Sequence, residues 1–188
     1  MRYTILLLLA GLPLIQGCAP LMLGGAAATG VMMIEDRRTV GTITEDQGIE
    51  LKVSNRIGER FKDGVHLNVT SFNRMVLLTG EVPDAATKSE AERIARGVEN
   101  VRGTYNELAV AGVSSFTTRT NDAILTSKVK ARFVDAQKFN LFHVKVVTEN
   151  NVVYLLGLVK KQEAADATEV ARTTSGVQKV VRVFEYLD

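Results

Sequence analysis

One cysteine, two histidines and a stripe of cations beside an aliphatic side chain are the residues of this sequence with chemistry to offer. Cys18 is the single thiol. It forms no internal disulfide, so its sulfur is a nucleophile free to be alkylated. His66 and His143 are the sole imidazoles, and hence the sole candidates for a base near neutral pH or a nitrogen ligand to a metal. Ile124, Lys128 and Arg132 are spaced by four, so on a helix they share one stripe. An apolar side chain followed by two cations suits a surface of anionic headgroups over acyl chains.

The residues around Cys18 say how its sulfur is used. The chain begins MRYTILLLLAGLPLIQGC, with Arg2 as a short positive segment and an apolar run over 5–15. That run is shorter than the roughly 20 residues a resident membrane helix needs. A basic start followed by a brief apolar core is the form of a secretory signal removed on export, here residues 1–17. Ile15-Gln16-Gly17-Cys18 resembles the lipobox of bacterial lipoproteins: small Gly17 precedes the cysteine and an aliphatic residue stands three places before it. Gln16 is the less usual element. The resemblance implies a diacylglyceryl group on Cys18, cleavage before it and acylation of the new amine. Two or more acyl chains hold a protein to a bilayer where one is marginal. Ala19 follows, where an Asp favours inner-membrane retention in such lipoproteins, so the resemblance implies the outer membrane, on its periplasmic side. Residues 18–45 then read as a tether, rich in Ala and Gly over 19–31 and polar and turn-like over 35–45.

Beyond the tether the chain repeats itself. HLNVTSFNRMVLLTGEV (66–82) lies over HVKVVTENNVVYLLGLV (143–159), pairing His66 with His143, Val76 with Val153, Gly80 with Gly157 and Val82 with Val159 at a spacing of 77. At a spacing of 76, Ile49, Val53 and Ile57 pair with Leu125, Val129 and Phe133, and Ile94 with Val170. Two domains follow, over 46–110 and 120–188, joined by a linker at 111–119.

Each domain reads helix, strand, strand, helix, strand. Apolar residues every fourth position (Ile49, Val53, Ile57; Leu125, Val129, Phe133) mark a helical stripe. Asp46 or Gly48 stands near the start of the first such helix, and Thr120, Asn121 or Asp122 is the expected cap of the second. Val65, Leu67 and Val69 alternate with His66, Asn68 and Thr70, as in a half-buried strand. SFNR (71–74) and TENN (148–151) reverse the chain into antiparallel hairpins. The second strands, MVLLTG and VVYLLG, are apolar on both faces and require cover on both; contact between the domains is one source of it. Asp84 is the expected cap of the second helix. Asn100 and Gly176 are equivalent residues suited to a left-handed helix stop. The last strands, 104–110 and 179–187, return parallel through a right-handed crossover. The fold class is α+β, with a three-stranded mixed sheet packed against two helices in each domain.

With VLLTG (76–80), YLLG (154–157) and the helix endings VENV and SGVQKV on view, each unit resembles a BON domain. The whole chain resembles the dual-BON outer-membrane lipoproteins of Gram-negative bacteria. That resemblance implies tandem BON domains, binding of anionic phospholipid through the second, enrichment at division sites, a role in outer-membrane integrity and no catalytic activity. In that family an aromatic residue near the start of the second domain's first helix contacts lipid. Ile124 occupies the corresponding position, an aliphatic departure from the pattern.

The charges agree with a division of labour. Residues 46–110 hold 9 basic and 10 acidic side chains, and residues 111–188 hold 11 and 8. Only the second domain is inclined toward anionic headgroups, with Lys130 and Lys138 near the Ile124, Lys128 and Arg132 stripe. The alternative for that stripe is a solvated outer face whose Ile124 completes the core. His66 and His143, one per domain and without a converging carboxylate pair, read as solvent-facing strand residues, so neither a metal nor a catalytic site is expected. Gly24 and Gly25 form no phosphate loop, and no cofactor is implied. With 23 basic against 21 acidic residues and an export signal, nucleic acid is not an expected partner. The expected partner is an anionic phospholipid membrane. A structural or adaptor lipoprotein contacting outer-membrane assembly or cell-wall remodelling proteins is the alternative, with lipid affinity secondary.

Overall fold

The computed structural model describes residues 36–62 and 64–188; the signal segment, Cys18 and the tether up to residue 35 lie outside the described residues. The first domain comprises α1 (Val40–Phe61), β1 (His66–Phe72), β2 (Met75–Val82), α2 (Ala85–Arg96), β3 (Gly103–Asn106) and β4 (Ala109–Val110). The second comprises α3 (Phe116–Ala136), a 3₁₀ turn (Leu141–His143), β5 (Val144–Glu149), β6 (Val152–Val159), α4 (Lys161–Arg172) and β7 (Lys179–Tyr186). In each, a hairpin pairs antiparallel and its second strand pairs parallel with the strand returning from the helix. The first domain's return strand is broken at Glu107 and Leu108, so β3 and β4 each pair with β2. Leu108 turns inward there and is 1% exposed.

The helical stripes are where their spacing put them. Ile49, Val53 and Ile57 pack with Val76, Leu78, Val82, Ala91 and Ala95 in one core. Val129 and Phe133 pack with Val153, Leu155, Ala167 and Phe184 in the other. Each fully buried aliphatic or aromatic side chain contributes about 1.5–3 kcal/mol. Asp84 caps α2 by accepting from Thr87 N at 2.7 Å. Asn100 and Gly176 have φ of +66° and +102° in the turns after α2 and α4. Gly80 and Gly157 are required by close approach: a methyl on Gly80 would run into the carbonyl of His66 on β1, and one on Gly157 into that of His143 at the end of the 3₁₀ turn.

Two expectations fail at the helix starts. Both first helices begin earlier than their apolar stripes suggest, because Thr39 and Ser115 cap them, accepting from Thr42 N and Thr118 N, each at 3.1 Å. Thr120, Asn121 and Asp122 therefore lie inside α3. Residues 36–45 are likewise not a slack tether. The Arg38 guanidinium lies 3.9 Å over the Phe72 ring and bonds Asp46 at 2.9 Å. Arg37 reaches the second domain, bonding Glu163 at 2.7 and 2.8 Å and the Leu158 carbonyl at 2.8 Å.

The doubly apolar strands do cover one another. Phe72 and Leu77 of the first sheet meet Tyr154, Leu156 and Val183 of the second, away from both helical cores. Asn73 Nδ2 to Glu185 (2.9 Å) and Lys145 Nζ to Glu50 (3.0 Å) cross the join at its rim. Burial there pushes the Tyr154 phenol up to about 12.

Candidate functional site

The candidate surface is the outward face of α3. Its inward face is fixed by Asp122, Leu125, Val129 and Phe133, all buried, which turns the opposite side to solvent. Ile124 is 50% exposed, so it does not complete the core. Phe116 is 80% exposed and Val134 53%. At 100° per residue these three fall within an arc of roughly 80°, with Thr120, Ser127 and Ala131 between them. Lys128 and Lys130 are exposed and flank the arc on opposite sides. Asp135, in the last turn, is the one exposed carboxylate of α3.

Of the residues singled out by spacing, Ile124 and Lys128 share this face, and Arg132 leans away from it. Arg132 Nη1 donates to the Val170 carbonyl (3.1 Å), Thr173 Oγ1 (3.1 Å) and Thr174 Oγ1 (3.0 Å), at the end of α4. A cation there meets the negative end of the helix. Its repeat mate Arg56 donates to Gly97 O at 2.9 Å, at the end of α2. Lys138 stands 3.9 Å from Asp166. Phe116 was missed, although Ser115 and Phe116 fall on Thr39 and Val40 at the spacing of 76. Carrying the repeat upstream exposes both the cap and the aromatic after it. The corresponding face of α1 presents Gly48 opposite Ile124, and Glu45 and Glu59 opposite Asn121 and Asp135.

The histidines are not solvent-facing. Each side chain is 14% exposed: His66 lies on a sheet face covered by the other domain, and His143 ends the 3₁₀ turn beside Glu163 of its own domain. Carboxylates converge on them as well: Glu81 and Glu149 on His66, and Glu163 on His143, at 3.5 Å from its Nδ1. The Arg37 guanidinium outweighs burial at Glu163 and, with the Lys160 N–H, holds its carboxyl down to about 2.

A mixed three-stranded sheet backed by two helices, built twice in one chain, defines the class. The chain belongs to the BON-domain family, whose model matches residues 45–112 and 121–188. It is similar to the outer membrane lipoprotein DolP of Haemophilus influenzae, with 40% identity over 97% of this chain and 95% of the relative. It is also similar to the 21 kDa hemolysin of Actinobacillus pleuropneumoniae, at 31% identity over 81% of this chain and 79% of that one. Osmotically-inducible protein Y of Escherichia coli shares 30% identity over 75% of this chain and 72% of its own length.

Proposed function

We propose that the protein is a non-enzymatic outer-membrane lipoprotein, anchored through Cys18 on the periplasmic side, that binds anionic phospholipid through its second BON domain. In this reading it supports outer-membrane integrity, at division sites. The observation that carries the lipid contact is the α3 face, with Phe116, Ile124 and Val134 in the open between Lys128 and Lys130. Aromatic and aliphatic side chains enter the boundary of headgroup and acyl chain, while each cation near an anionic surface contributes about 1 kcal/mol. The lipobox at Cys18 and the likeness to a relative named as an outer membrane lipoprotein support the location.

Vesicle co-sedimentation of the unacylated 19–188 chain tests the contact. The wild type should pellet with phosphatidylglycerol vesicles and stay in solution with phosphatidylcholine. Phe116→Glu and Ile124→Glu should abolish pelleting, and Lys128→Glu/Lys130→Glu should weaken it most at low salt. Equal binding by wild type and all variants removes α3 from the account. A wild type that ignores anionic vesicles but holds a protein partner makes the molecule an adaptor.

A further inference from the structure

His66, Glu81 and Glu149 meet where the two sheets press together. His66 and Glu81 are cross-strand partners on β1 and β2, and Glu149 ends β5, so both domains contribute. His66 Nδ1 lies 3.0 Å from Glu81 Oε2 and 3.7 Å from Glu149 Oε1, and one ligand atom from each residue falls within 4.8 Å of the others. Glu81 is 2% exposed and Glu149 6%.

Two carboxylates this deep need compensating charge, because an uncompensated buried charge costs several kcal/mol. Among the described residues their ion-pair partner is His66 alone. Two buried carboxylates thus face a single imidazole, which leaves a place for a cation between them.

They are also arranged to receive one. Asn68 Nδ2 donates to Glu149 Oε2 at 2.9 Å, and Asn150 Nδ2 donates to Glu81 Oε1. Ser114 N donates to Glu81 Oε2 at 3.1 Å. Side-chain amides thus hold Glu81 Oε1 and Glu149 Oε2, the Ser114 N–H steadies Glu81 Oε2 itself, and Glu81 Oε2 and Glu149 Oε1 face His66 Nδ1, the kind of second layer that orients metal ligands. A solvent-open cavity of about 380 Å³, lined by His66, Asn68, Arg119, Asp122 and Glu149 among others, adjoins the trio. It gives a cation a way in and leaves room for a water as the fourth ligand.

We infer that His66, Glu81 and Glu149 form a binding site for a first-row divalent transition cation, Zn²⁺ being the test case, that clips the first domain to the second. One imidazole nitrogen with two carboxylate oxygens suits Zn²⁺ better than Ca²⁺ or Mg²⁺, which favour oxygen-only cages. Three protein ligands and an open fourth position form an open tetrahedral site. Ligand atoms about 2.0–2.2 Å from zinc sit roughly 3.3–3.6 Å apart, so His66 Nδ1 and Glu81 Oε2, now 3.0 Å apart, open slightly while Glu149 draws in through side-chain rotation.

The test uses the untagged full chain in detergent, stripped with EDTA and titrated with Zn²⁺ against a fluorescent zinc indicator. Melting temperature is recorded with and without metal. The expected result is one Zn²⁺ per chain and a raised melting temperature, with affinity falling at least ~10-fold in His66→Asn and in Glu149→Gln. No binding by the stripped wild type overturns the site whatever the variants do. Wild-type affinity in Glu149→Gln, the milder change, overturns it equally.

Discussion

Asp46 and Asp122 stand at equivalent places in the two domains and each holds the hairpin turn of its own sheet. Asp46 accepts from Asn73 N (2.8 Å) and Arg74 N (2.7 Å), and Asp122 from Asn150 N and Asn151 N, both at 2.9 Å. All four turn residues have positive φ, between +49° and +65°, as a type I′ turn demands and as asparagine tolerates. Each carboxylate sits on the first helix and is almost fully buried, so helix and hairpin are tied before any apolar contact is counted.

Removing that tie should cost more than an exposed helix cap. Asp122→Ala leaves two half-buried N–H donors without their acceptor, an expected loss of about 1–2 kcal/mol in urea unfolding. Asp122→Asn, which retains one accepting oxygen, should fall between. Asp46→Ala should lose more than Asp122→Ala, because Ser71 Oγ (2.6 Å) and Arg38 also depend on it. Equal stability of wild type and Asp122→Ala would contradict this role.

The aspartates also mark what the sequence made legible and what it did not. A periodic stripe records one buried face, so Ile49, Val53 and Ile57 and their mates were readable by spacing alone. Helix starts depend on a single hydroxyl acceptor, and Asp122 was a plausible cap until the structure placed it under a turn. Ser115 could have been found by following the repeat back to Thr39. His66 was misread for a different reason. Alternation separates the two faces of a strand, but it does not say that a second domain covers the outer one. MVLLTG and VVYLLG did carry that message, while the meeting of Glu81 with Glu149 depends on docking, which no local pattern encodes.

Gly80 and Gly157 yield a sharper prediction, because the obstacle to a side chain is backbone. Gly80→Ala and Gly157→Ala should each destabilise by more than about 2 kcal/mol in thermal or urea unfolding. Gly80→Ala should be the worse of the two, since Gly80 also holds a φ of +115°. Gly48→Ala and Gly58→Ala, where a methyl meets nothing, should stabilise by up to about 1 kcal/mol.

The Arg37–Glu163 pair should appear in the acid limb of the stability curve. The Glu163 carboxyl is held at about 2 in the folded chain against an ordinary 4.5. A depressed folded value means stability that is fully present above the unfolded value and is lost as pH falls from about 4.5 toward 2. Arg37→Met should therefore cost about 1 kcal/mol at pH 7 and lose less than the wild type between pH 5 and pH 3. Parallel acid limbs for the two proteins would remove Arg37 from this role.

Arg132 separates folding from membrane contact. Its repeat mate Arg56 closes the same helix end in a domain whose α1 face carries Glu45 and Glu59, so the duty the two arginines share is structural. Arg132→Ala should lower stability by about 1 kcal/mol, as should Arg56→Ala, because each leaves helix-end acceptors unsatisfied. Binding of Arg132→Ala to phosphatidylglycerol vesicles, measured well below its melting temperature, should stay within about twofold of wild type. Lys128→Glu/Lys130→Glu should do the opposite, melting as the wild type does and losing vesicle binding. If Arg132→Ala loses binding as completely as the lysine pair, the guanidinium belongs to the headgroup contact after all, and the outward arc of α3 has to be drawn wide enough to include it.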